Sequence, residues 1–336
     1  MGSGTVLYEC ARLNIHSIGS EINPAAIKMA KLYELSNIKT DERIKLLSKL
    51  ELILNRYLLS ISDDSNSELF NNEEVDLLYG TIKNVKNNTL KNILEIFLIL
   101  LDFNYNKINR KKFFLILDKL KNIIINLPIL KQPIEIIHAD ARNIPLENSR
   151  IDLVITSPPY INVFNYHQQR RKVLENLGWN LLHVAKSEIG SNRKHRGNRF
   201  LTVIQYIFDI HDTIKELARV SKSKARLIFI VGRKSRVRKT DFFNSEIVAY
   251  IATQCFGIKL EMRQERCFKN KFGELIYEDI LHFINIKTSE KLKTSKNIAS
   301  EIMNDALSRA PKDSINDLNQ AINLINNVQP SLFYNV

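Results

Sequence analysis

Two hydrophobic rhythms alternate along this chain. Short apolar runs of strand type are His16 to Ile22, Ile134 to His138, Asp152 to Thr156 and Arg226 to Val231. Between them, apolar residues recur every three or four positions, the period of an amphipathic helix. One such stretch runs from Thr5 to about Leu13, and a second starts at Pro24, where proline is tolerated in a first helical turn. From about Lys31 to Leu130 the helical rhythm continues, rich in Leu, Ile, Asn and Lys, with a polar break near Asp63 to Asn72. A further helix is predicted from about Leu201 to Val220. Lys259 to Phe268 and Tyr277 to Ile286 read as antiparallel strands joined by a turn at Asn270 to Gly273. From Lys287 onward the chain is polar, with two weak helical patterns, and is expected to form an appendage.

Strands alternating with helices predict an α/β fold, with a mostly parallel sheet and an antiparallel last strand. Ligands of such sheets bind at the carboxyl ends of the strands. Several chemically distinctive residues fall there. Glu21 closes the first strand run and Asp140 comes just after the second. The third runs into Thr156-Ser157-Pro158-Pro159-Tyr160. Consecutive prolines fix φ and remove two N–H donors, so the chain leaves the sheet as a stiff extended corner. Carbonyl acceptors beside an aromatic face suit a planar base that carries an exocyclic amine.

Charge adds a partner. The formal net charge is +13, which favours a polyanion. Lys186, Arg193, Lys194, Arg196 and Arg199 form one basic cluster, and Arg233, Lys234, Arg236, Arg238 and Lys239 form another. The Gly190-to-Arg199 segment is too polar for an interior and reads as a loop closing on that polyanion. Asn192, Arg193, Lys194, Arg196, Arg199 and Arg233 are its candidate contacts, and on a nucleic acid these would reach base edges or phosphates. Cys10, Cys255 and Cys267 are odd in number and lack metal-ligand spacing, which fits unpaired thiols in a reducing cytoplasm. His138, His183 and His282 are dispersed and read as structural. No metal site is expected, and no apolar run approaches the length of a membrane span.

With these residues in view, the chain resembles the amino-group DNA methyltransferases, whose catalytic motif is (Asp/Asn/Ser)-Pro-Pro-(Tyr/Phe/Trp). The Thr-Ser-Pro-Pro-Tyr form is typical of the enzymes that act on cytosine N4. The resemblance covers roughly residues 1–30 and 131–286, the implied catalytic domain, and leaves 31–130 as a helical insertion and 287–336 as the appendage. It implies S-adenosylmethionine as cofactor. Gly2-Ser3-Gly4 would approach it closely, Glu21 would accept from its ribose hydroxyls, and Asp140 would either accept from its adenine amine or cap the local turn. The Ser157 side chain and the Pro158 carbonyl, held rigid by Pro159, would accept from the target amine, with Tyr160 stacked on a base flipped from double-stranded DNA. The resemblance also implies a restriction–modification or defence setting, with a cognate restriction enzyme as a partner. Three alternatives stay open: transfer to adenine N6, transfer to an RNA base amine, and a non-catalytic DNA-binding fragment.

The family's first motif runs Asp-Pro-Phe-x-Gly-Ser-Gly-Thr, and this sequence begins inside it. The first strand of the sheet is therefore expected to be missing. Either the start lies at an internal Met of a longer frame, or a second polypeptide supplies the strand. Each backbone group left unpaired by that loss costs about 1–3 kcal/mol, so weak cofactor binding by this chain alone is expected.

Overall fold

A computed structural model describes residues 1–61, 69–101, 109–161, 170–190, 195, 197–270, 272–286 and 292–334. It divides into two compact units, Met1–His138 with Tyr166–Leu182, and Ala139–Asn165 with His183–Val336. The class is α/β.

The first unit contains helix α1 (Thr5–Arg12), strand β1 (Ser17–Glu21) and helix α2 (Pro24–Ala30), then α3 (Thr40–Ser60), α4 (Asn72–Lys83), α5 (Asn88–Leu101) and α6 (Arg110–Ile125), and lastly β2 (Ile134–His138). β1 and β2 pair in parallel, with Glu21 opposite His138 at their carboxyl ends. The helices of 31–130 share their core with the ends of this unit. Ala25 lies in the same buried cluster as Leu50, Leu54, Phe97 and Phe113, and Lys28 pairs with Glu95 on α5. This differs from an insertion set apart from the glycine turn and first strand. Arg43 is wholly buried and donates to the carbonyls of Ile124 and Leu127. It thus satisfies acceptors that the end of α6 leaves open.

In the second unit, β3 (Ile151–Thr156), β4 (Ser221–Gly232), β7 (Lys259–Lys269) and β8 (Leu275–Ile284) form a sheet in the order β3-β4-β8-β7. β3 is parallel to β4, and the other two pairings are antiparallel. Residues alternate across the sheet. Leu227, Phe229 and Val231 on β4 and Leu281 and Phe283 on β8 are buried in one cluster with helix α9 (Phe200–Val220) and helix α10 (Asn244–Phe256). A hairpin, β5 (Ser235–Val237) with β6 (Thr240–Phe242), separates β4 from α10. Two short helices, α7 (Arg171–Asn176) in the first unit and α8 (Leu181–Ser187) at the boundary in sequence, complete the series before α9.

The described residues beyond 287, which are 292–334, do not stand apart as a polar appendage. Helix α11 (Ser295–Leu307) and helix α12 (Ile315–Asn323) bury Ile298, Met303, Leu318 and Ala321 in the core of the second unit. Ile298, Ile302 and Ala306 recur at four-residue intervals, an apolar stripe diluted by the polar residues around it. No helix among the described residues is long and apolar enough to cross a membrane.

Candidate functional site

In the first unit, the chain turns sharply before α1. Gly2 and Gly4 have φ of 62° and 95°, the left-handed region that favours glycine. Gly4 is buried, and a Cβ on it would stand 2.7 Å from the Tyr33 ring, so this glycine serves packing. Gly2 and Ser3 are exposed. The Gly2 N–H donates to Glu21 Oε2 at 2.8 Å, and Glu21 Oε1 accepts from the Ile22 and Asn23 N–H groups at 3.0 and 3.1 Å. Asn23 then caps α2, accepting from Ala26 N–H, with Pro24 at its first position. Glu21 therefore ties the glycine turn to the end of β1, and its side chain keeps 18% exposure. A carboxylate oxygen accepts more than one hydrogen bond, so capacity for a hydroxyl remains.

His138 stands across from Glu21 in the β1–β2 register. Burial lowers its pKa, which keeps the ring neutral at neutral pH. Trp179 meets it edge-on at 5.5 Å. A separate cavity of about 910 Å³ is lined by Tyr8, Tyr33, Asp118, Asn122 and Asn126 among others, and by no residue singled out from sequence.

In the second unit, Asp140 is 3% exposed and fully engaged. Its Oδ1 accepts from the Arg142 N–H and Nε, both at 2.9 Å. Its Oδ2 accepts from Arg142 Nη2 at 2.7 Å and from the Tyr334 N–H at 3.0 Å. This is the turn-capping geometry, extended by an arginine. Arg142 also donates from Nη1 to Asp209 Oδ1 and to the Ser331 carbonyl, both at 2.8 Å. Burial opposes the guanidinium charge, but Asp140 and Asp209 outweigh it and hold Arg142 protonated. Burial likewise pushes Asp209 up to about 6, against the pull of Arg142 and Ser331. An adenine amine at Asp140 would have to displace the Tyr334 N–H.

The proline corner leaves the end of β3. Ser157 is exposed, Pro158 buried, and Pro159 and Tyr160 half-buried. The Tyr160 hydroxyl donates to Glu278 Oε1 at 3.1 Å. Burial raises the Tyr160 pKa, a hydrogen bond with Ser157 works against the rise, and the Glu278 carboxylate adds to it. Residues 162–169, just beyond, lie outside the described residues. So do Asn192, Arg193, Lys194 and Arg196. Arg199 stands half-buried just before α9. Its neighbour Asn198 is buried and donates to the Asp317 carbonyl at 2.7 Å, which ties the end of the basic loop to α12.

Arg233 is not a free cation. It donates to Asp279 Oδ1 at 3.0 Å and to Glu265. Lys234 and Arg236 pair with Asp241, Arg238 with Asp317, and Lys239 with Asp313. The expected basic patch of 233–239 is thus matched by carboxylates, two of them more than seventy residues away. Among the described residues, no three His, Cys, Asp or Glu side chains gather as a metal site.

No family model matches the chain. Type II methyltransferase M.MjaII of Methanocaldococcus jannaschii is 27% identical over an alignment of 157 residues that covers 43% of this chain and 28% of that protein. The chain thus matches under a third of that relative's length. A SAM-dependent methyltransferase from Methanosarcina mazei has a TM-score of 0.37 and 11% identity, covering 85% of this chain and 90% of that one. A Thermus thermophilus protein described as a DNA modification methylase has a TM-score of 0.28 and 16% identity, covering 53% and 60% of the two chains. At those scores the two structures add nothing to the strand order described above.

Proposed function

We propose that this chain is a DNA methyltransferase that uses S-adenosylmethionine and acts on the exocyclic N4 of cytosine in a duplex. The observation that carries the reading is the Thr-Ser-Pro-Pro-Tyr corner at the carboxyl end of β3, with Ser157 exposed and the Tyr160 ring anchored beside it through Glu278. The sequence relationship to a type II methyltransferase supports it, and fits the modification half of a restriction–modification pair.

A cytosine amine is a weak nucleophile because its lone pair is delocalised into the ring. The Ser157 hydroxyl and the Pro158 carbonyl accept from its two N–H bonds and draw the nitrogen toward tetrahedral geometry. Tyr160 gives the flipped base a flat surface. S-adenosylmethionine supplies the methyl group when bound. The donor set of the first unit fits it: a turn with left-handed glycines in which Gly2 and Ser3 are exposed and Gly4 is buried, and a partly exposed carboxylate at a strand end. Glu21 holds ribose hydroxyls there. Asp140 fits less well, since protein donors occupy both its oxygens. Catalysis rests on positioning the two reactants, the effect that makes an intramolecular reaction fast.

Adenine N6 is the second reading. It is favoured by motif order, since the glycine turn precedes the proline corner here, whereas many cytosine-N4 enzymes have the reverse. The test is transfer of labelled methyl to duplex DNA, with mass spectrometry of the digested nucleosides. N4-methylcytosine supports the proposal, and N6-methyladenine moves it to the second reading. Label appearing only in RNA, or activity unchanged in Ser157→Ala and Tyr160→Ala, overturns it.

A further inference from the structure

We infer that Gly232, Gly190 and Asn244 are positioning residues for the proline corner, so that the end of β4 and the start of α10 set where Tyr160 stands. The inference rests on the function proposed above for its catalytic meaning, and on geometry for the rest.

Tyr160 is clasped on several sides. Gly232, the last residue of β4, faces its ring. A Cβ at that position would stand 2.7 Å from Tyr160 Cε2 and 3.0 Å from Cδ2, closer than real contacts allow. Gly232 does not have a positive φ, so its backbone would accept alanine; the ring is what excludes a side chain. Gly232 also lies opposite Glu278 in the β4–β8 register, and Glu278 accepts from the Tyr160 hydroxyl at 3.1 Å. One rung of the sheet therefore fixes both the height and the tilt of the ring. On another side, a Cβ on Gly190 would stand 2.8 Å from the Tyr160 carbonyl oxygen, and Gly190 has φ of 76°.

Asn244 closes the clasp. It is fully buried at the first position of α10. Its Nδ2 donates to the Gly232 carbonyl at 3.1 Å and to Ser235 Oγ at 3.0 Å. A carbonyl only accepts, so the amide orientation is settled, and Oδ1 is left to accept from the Ile161 N–H at 3.3 Å. One side chain thus joins the residue after Tyr160, the end of β4 and the hairpin beyond it. Stiffness from two prolines fixes the shape of the corner, while this amide fixes its place.

A double-mutant cycle between Gly232→Ala and Tyr160→Ala in the full chain tests the assignment. Besides the KM for DNA, two readouts are taken: the single-turnover rate of methyl transfer to duplex DNA, and the thermal unfolding midpoint. With Tyr160 present, Gly232→Ala is expected to slow transfer by about a hundredfold, since a displacement near 1 Å is enough for that. The KM for DNA should move less than about threefold, because the lost interaction belongs to the transfer step. The midpoint should fall as well. In the Tyr160→Ala background, where there is no ring to strike, Gly232→Ala should change neither quantity. Asn244→Ala should show the same split, a slowed rate with little change in KM.

Additive effects of the two substitutions, or an unchanged rate in Gly232→Ala, would overturn the inference. Absence of methyl transfer by the unsubstituted chain would count against the proposed function instead. The clasp would then be judged on the midpoints alone, where additivity still refutes it and coupling supports it.

Discussion

The carboxylates at positions 21 and 140 lie at the end of β1 and two residues beyond the end of its parallel partner β2, yet the structure treats them in opposite ways. Glu21 is met by backbone N–H groups of the glycine turn and of its own strand end, and stays partly exposed. Asp140 is met by a guanidinium two residues downstream and by a backbone N–H from residue 334, and is sealed. The difference lies in the residues immediately downstream of each acid. Ile22-Asn23-Pro24 offers only neutral donors and a helix start, whereas Arg142 brings a full charge that must itself be paired once buried. A strand-end acid is available to a ligand when its own loop does not consume it.

The largest expected effect tests that contrast directly. Arg142→Ala leaves Asp140 and Asp209 buried without their cation and should cost about 3–5 kcal/mol in urea unfolding. Glu21→Gln should cost only about 1 kcal/mol: the amide oxygen still accepts from the backbone donors, and the ion pair lost with the Met1 ammonium, 3.7 Å away, lies near solvent. Equal losses would erase the distinction. Next, Glu21→Gln should weaken S-adenosylmethionine binding by about 1.5–3 kcal/mol, the worth of hydrogen bonds to a charged group, measured by calorimetry. Asp140→Asn should act mainly on unfolding. A reversed outcome would make Asp140 the cofactor ligand.

A third carboxylate, Asp279, sharpens the comparison by pH. Burial works against its ionisation, but hydrogen bonds from Arg233, Arg263 and Ser245 prevail and hold it down at about 2, from 3.8. A depressed carboxyl contributes stability above its unfolded pKa and loses it as pH falls through the folded one. The excess stability of the natural chain over Asp279→Asn, read from thermal midpoints, should be roughly 2 kcal/mol above pH 4 and vanish toward pH 2. A difference independent of pH would show that Asp279 acts by packing. The smallest effect belongs to the exposed pairs. Arg236→Ala or Lys239→Ala should leave the unfolding midpoint essentially unchanged, since both pairs are exposed and screened. If these cations hold no phosphate, the salt dependence of DNA binding should also stay put; a slope lower by about one unit would return them to the interface.

How far the chain can be read from its sequence depends on reach. The four strand runs up to residue 231, the closing antiparallel pair, the main helices up to residue 220 and the proline corner are written in local periodicity and in residues with fixed φ, and they stand where expected. Helix α10 and the β5–β6 hairpin, between residues 235 and 256, do not follow from that reading. The glycine turn and Glu21 also meet, because only nineteen residues separate them. Long-range partnerships are not written locally. Asn244 lies 83 residues from Ile161, and no local pattern marks it as a partner of the corner. The basic stretch of 233–239 resembles a phosphate surface because Asp313 and Asp317, which neutralise part of it, are remote in sequence. The helices after residue 294 read as an appendage because a narrow apolar stripe suffices to reach the core.

The reach of Arg142 has a consequence for synthesis. Its guanidinium bonds to carbonyls 189 and 190 residues further along, and Asp140 receives the Tyr334 N–H from 194 residues away. A ribosome delivers residues one at a time, so this charged centre stays open until position 334 has emerged from the exit tunnel. During that interval an arginine and two aspartates destined for a dry interior sit in water, which solvates them fully. The second unit therefore closes late, and a nascent chain stalled before that point should be readily cut by a protease.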